Sequence, residues 1–137
     1  MNKKWLIIIG GIILLFILFQ SILPQSVSAH ESEWLRLNLF NPIVHFFGGT
    51  DLSQDTVREG AHSFEFGLLA LFVVFLWNGS LLRCIYTGFT IAFLDETLQM
   101  FTGRGAEVRD IWYDMIGVAI GTGIGFLIYW LRLRKNI

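Results

Sequence analysis

A single cysteine, Cys84, excludes an internal disulfide, and a chain with no second thiol offers no clustered sulfur ligands for a metal. No glycine-rich phosphate loop or nucleotide-binding motif is present. An internal repeat or a pair of broken helices, from which many transporters are built, is also missing, which argues against transport by a monomer. An acyl-transfer triad is poorly supported as well. Ser63 adjoins His62, but neighbours on a helix point about 100° apart, so the two are not a nucleophile and its base.

What the chain has is apolar sequence. In 137 residues, 54% are hydrophobic and the mean hydropathy is +0.60, with runs too long and too continuous for a small soluble core. Four stretches reach membrane-spanning length: 5–23, 60–77, 81–101 and 111–131. The expected fold is a single all-α domain, 1–137: a four-transmembrane-helix bundle with a long outer loop between the first and second helices.

Acidic residues are wholly absent from one set of helix flanks. Lys3, Lys4, Arg83, Arg132, Arg134 and Lys135 lie there, whereas all 11 acidic residues fall on the other side with Arg36, Arg58, Arg104 and Arg109. The positive-inside bias makes the basic side cytoplasmic, so both termini are expected inside. The four outward basic residues are interspersed with acids, which excludes nucleic acid as a partner.

Two readings suit residues 1–29: an uncleaved first span, or a secretory signal ending at Val27-Ser28-Ala29. The span carries no polar group from Leu6 to Phe19 and should be the most lipid-exposed. Residues 24–56 form the outer connection. Their Trp- and Phe-rich part, broken at Asn41-Pro42, suits a segment lying in the outer interface or covering the helix ends. His30 and His45 stand alone and are read as bystanders.

Polar residues intrude on the lipid-like segments at the outer end only. Thr56-x-x-Glu59 reads as a capping box, and Arg58, His62 and Glu65 then share one helical stripe. Asp95 and Gln99 are four apart, as are Asp110 and Asp114. The latter stripe continues into Gly117, Gly121 and Gly125, whose spacing lets another helix approach closely. Charges at such depth cost roughly 2.5–3.5 kcal/mol each on insertion scales, so they are expected to face the bundle interior with partners.

These residues resemble the VanZ-like family of small bacterial membrane proteins, named for a member associated with teicoplanin resistance. The first motif is Val57-Arg58-Glu59-Gly60-Ala61-His62-Ser63-Phe64-Glu65-Phe66. The second is Asp95-Glu96-x-x-Gln99-x-Phe101, then Gly103-Arg104, then Asp110-x-x-x-Asp114-x-x-Gly117. Glu59 and Phe66 replace the family's Lys and Tyr, so no phosphate-facing lysine or phenolic donor is invoked there. The resemblance implies a multi-pass protein of the bacterial cell membrane and a link to glycopeptide resistance, with no defined reaction.

For function, His62, Glu65, Asp95, Glu96 and Asp110 are the candidate acid/base groups. Arg58, Gln99, Arg104, Arg109 and Asp114 are candidates for holding a lipid-linked or anionic envelope substrate at the outer leaflet. Carboxylates and histidine without clustered cysteine would also suit a divalent cation, whose presence and identity the sequence leaves open. The alternative is a non-catalytic membrane protein whose polar cluster only braces the helices while its surface modulates partner proteins. Nothing in the sequence sets an oligomeric state.

Overall fold

The computed structural model describes residues 3–103 and 107–135, and every regular element among them is helical. Four long helices dominate: α1 (Lys3–Ile22), α4 (Gln54–Leu76), α5 (Leu81–Thr102) and α6 (Val108–Lys135). Between α1 and α4 lie α2 (Gln25–Leu35), a π-helical turn (Arg36–Phe40) and α3 (Asn41–Phe46). Three helices are long and apolar enough to cross a membrane: Lys3–Ile22, Gln54–Leu76 and Val108–Arg134. At 1.5 Å per residue the 20 residues of α1 extend about 30 Å, the thickness of a hydrocarbon core. Helix α5 matches them in length with 22 residues, but Arg83, Asp95, Glu96 and Gln99 dilute its apolar character.

Helix α1 has the smallest buried share of those three spans, as its unbroken apolar run implies. The expected long outer loop is instead mostly helical. Pro24 caps α2, and the segment is pinned by tertiary hydrogen bonds that no local pattern announces. Gln54 Nε2 donates to the Ala29 carbonyl at 2.7 Å, and Asn41 Oδ1 accepts from the Leu52 amide at 3.0 Å. Arg36 grips Glu33 through two nitrogens at 2.6 and 2.8 Å, and that hydrogen bonding holds the Glu33 carboxyl below its ordinary pKa. Pro42 lacks an N–H and crowds the turn before it, and the chain accommodates this with the wider π-turn at Arg36–Phe40.

The start of α4 also differs from the expected capping box. Ser53, not Thr56, is the N-cap: its Oγ accepts the Thr56 amide at 3.0 Å. Thr56 becomes the N3 residue, and Glu59 is released to reach Arg109 at 3.2 Å. At the other end, Asn78 and Gly79 turn the chain with positive φ, and Gly103 ends α5 in the left-handed conformation.

Packing centres on α4 against α6, which run parallel. A Cβ on Gly117 would strike the Ser63 carbonyl, and one on Gly121 the Gly67 carbonyl, so the glycine stripe brings the two backbones into direct contact. Around this seam Ile17, Phe66, Leu69, Val74, Cys84, Ala92 and Val118 form the core. Large apolar side chains such as Leu15, Leu82 and Trp112 cover the outside, as a lipid-facing surface requires.

Candidate functional site

The glycine seam determines what happens one turn beyond it. With α4 and α6 pressed together below, their polar stripes face each other above. Arg58 Nη2 lies 3.9 Å from Asp110 Oδ2, and His62 Nδ1 lies 3.7 Å from Asp114 Oδ1. Ser63 donates to the Tyr113 carbonyl at 2.7 Å and locks the register. Both aspartates are buried, Asp114 completely.

Helix α5 closes the cluster from the side. Asp95 is fully buried and is held from two directions: Gln99 Nε2 donates to its Oδ2 at 2.7 Å, and the Ser21 hydroxyl donates to its Oδ1. Ligating atoms of His62, Asp95 and Asp114 all lie within 4.8 Å of one another. Glu96 is buried beside them, and the carboxylates of Asp95, Glu96, Asp110 and Glu65 all act electrostatically on Asp114. Helices α4, α5 and α6 thus converge at one depth.

Beside the cluster is the junction of α1, α2 and α4. A pocket of about 70 Å³ opens there, lined among others by Gln20, Glu31, Ser32, Arg58, His62 and Glu65. His62 connects the two parts of the site, lining this pocket while standing next to Asp114.

Hydrogen bonding within the cluster is uneven. Both oxygens of Asp114, Oδ1 of Asp110 and Nε of Arg58 are buried and accept or donate no hydrogen bond among the described residues. A buried polar group left in this way costs about 1–3 kcal/mol, more when charged. Asp95, one helix away, has both oxygens engaged.

Of the residues picked out in the sequence, Arg58, His62, Glu65, Asp95, Glu96, Gln99, Asp110 and Asp114 gather here. Arg109 does not join them: its exposed guanidinium sits at the rim between Glu59 and Glu107. Arg104 lies outside the described residues. Ser21 was missed, as were Gln20 and Glu31 at the pocket. The lone serine following an apolar run was the available signal for Ser21. His45 is apart from the site, paired with Asp51 at 2.6 Å on an exposed surface.

Fold and site together define a small all-α membrane protein with a carboxylate–histidine cluster buried at one end. The chain belongs to the VanZ/LLP1 family, which it matches over residues 5–131. It is similar to "Uncharacterized membrane protein YwnJ" of Bacillus subtilis (strain 168), 26% identical over 115 residues that cover 84% of this chain and 77% of that protein. No solved structure matches it.

Proposed function

We propose that the protein spans the bacterial cell membrane four times, with α5 as the fourth span and both termini in the cytoplasm. Its polar cluster would serve as an outer-leaflet site for an anionic, lipid-linked envelope substrate. Orientation draws support from the basic end of the bundle. There Arg83 lies over Trp77 at 5.4 Å, Arg132 over Phe75 at 5.3 Å and Arg134 over Trp130 at 3.7 Å, an arginine–aromatic belt suited to the inner interface.

In this reading Arg58 and Arg104 hold the anionic group, with Arg109 at the rim, while His62, Glu65, Glu96 and the aspartates supply acid, base or cation-binding groups. The observation that carries it is the Asp114 carboxylate, fully buried with no hydrogen bond to either oxygen among the described residues. A brace would pair such a group off. Ligand-binding sites leave polar capacity open.

A second reading has its own support in the Ser21–Asp95–Gln99 network, which ties α1 to α5 with every Asp95 oxygen engaged. Here the cluster is structural and the protein modulates the cell surface or partner proteins. Asp95→Asn separates the two, because it keeps nearly the same volume and one of the two hydrogen-bond acceptors while removing the charge. A working site predicts normal abundance with lost phenotype, measured as teicoplanin susceptibility in line with the family resemblance. Full phenotype in Asp95→Asn, Glu65→Gln and His62→Gln alike would leave only the structural reading.

A further inference from the structure

We propose that His62, Asp95 and Asp114 form a divalent-cation site joining α4, α5 and α6. The inference rests on the cluster being a ligand-holding site, and it does not depend on the envelope substrate.

Three observations converge on it. First, one ligating atom from each residue lies within a 4.8 Å span. Second, His62 Nδ1 and Asp114 Oδ1 are 3.7 Å apart, too far for a hydrogen bond. Two donors each about 2.1 Å from one ion, at an angle of about 120°, stand about 3.6 Å apart. The widest separation in the set, at most 4.8 Å, would contract by about 1 Å for all three donors to reach one ion. Third, Asp114 is fully buried and accepts no hydrogen bond among the described residues, which leaves its lone pairs available within the cluster.

Charge and support agree with this. Asp95 and Asp114 sit together in the interior with no Lys or Arg ion pair among the described residues, and a divalent ion would neutralise both. Ser21 and Gln99 each take one lone pair of an Asp95 oxygen and leave the other, which orients the carboxylate as outer-shell partners of metal ligands do. One histidine and two carboxylates suit a hard or borderline cation such as Mn²⁺ or Zn²⁺, and three protein ligands leave coordination positions for an incoming anionic group.

The test is metal binding by the full-length protein in detergent, stripped with chelator and then equilibrated with MnCl₂ or ZnCl₂. One bound ion per chain is expected for the wild type, with a histidine-nitrogen coupling in the Mn²⁺ magnetic-resonance spectrum. Ser21→Ala should weaken binding roughly 10-fold, and His62→Gln and Asp114→Asn should weaken it further. His45→Gln, which removes a surface His–Asp pair, should bind as the wild type does. A wild-type protein that takes up neither ion, or shows no nitrogen coupling, overturns the proposal even if the variants fail to fold. Unchanged affinity in folded His62→Gln does the same. If no ion binds yet Asp95→Asn loses the phenotype, the functional site stands and the cation site falls.

Discussion

Ser21, in the last turn of α1, donates its hydroxyl to the carboxylate of Asp95 on α5, and both residues are almost wholly excluded from solvent. The same serine's carbonyl accepts from Thr102 at 3.1 Å, so the C-terminal ends of the two helices are fastened at both Asp95 and the final turn of α5. Helix α1 is otherwise nearly featureless chemically. Its buried hydroxyl ties it to Asp95, and the adjacent Gln20 lines the pocket.

Ser21→Ala should therefore destabilise the protein by about 1–3 kcal/mol, since it leaves a buried carboxylate oxygen without its donor. Ser21→Thr, which keeps the hydroxyl, should recover part of the loss. Thermal unfolding in detergent measures both. Equal melting temperatures for wild type and Ser21→Ala would mean that the contact contributes nothing.

The glycines of α6 are not equivalent. A Cβ at Gly121 would run into the Gly67 carbonyl, whereas one at Gly123 meets nothing. Gly121→Ala should push α6 off α4 and cost about 1–3 kcal/mol, as overpacking does. Gly123→Ala should be neutral or slightly stabilising, because alanine favours helix. Abundance in the membrane and melting temperature should fall for the first and hold for the second.

These contrasts show which parts of the site were legible in the sequence. Residues four apart on a helix share a face, so the stripes Arg58–His62, Asp95–Gln99 and Asp110–Asp114–Gly117–Gly121 could be drawn without coordinates. The partner of Asp95 could not, because Ser21 is 74 residues away and only tertiary packing joins them. The helices of residues 25–46 escape a local reading for a related reason: α2 is polar, Pro42 breaks the apolar stretch that follows it, and the anchors, Gln54 to Ala29 and Leu52 to Asn41, are non-local. Ser53 and Thr56 both qualify as caps by type, and residue type alone does not choose between them. Arg109 was legible and was grouped with the site nonetheless. It neighbours Asp110, and if Asp110 faces inward, a residue about 100° away faces out.

Topology can be tested at exposed positions. Asp51 and Glu107 lie on the acidic side and Asn78 on the other, and the native Cys84 is buried and should react slowly. Asp51→Cys and Glu107→Cys should be labelled by an impermeant maleimide in intact cells, and Asn78→Cys only after permeabilisation. The opposite pattern would turn the polar cluster toward the cytoplasm and remove the envelope reading.

Two arginines, one on α4 and one on α6, offer the last comparison. Arg109 bridges Glu59 and Glu107 at 3.2 and 3.5 Å, but it is 55% exposed, and pairs of that kind contribute about 0–1 kcal/mol. Arg58 is only 28% exposed and stands 3.9 Å from an Asp110 carboxylate that is itself buried. Removing Arg58 leaves that carboxylate without its nearest cation, and breaking a buried pair from one side costs about 3–5 kcal/mol at full burial. Partial exposure of Arg58 lowers this to roughly 1–3 kcal/mol. Arg58→Gln should thus reduce the melting temperature clearly, and Arg109→Gln should leave it within error. Asp110→Asn on top of Arg58→Gln should restore much of the loss, because the orphaned charge disappears with its partner. A double variant no more stable than Arg58→Gln alone would show that the guanidinium acts through packing, and that its charge is free for an anionic ligand.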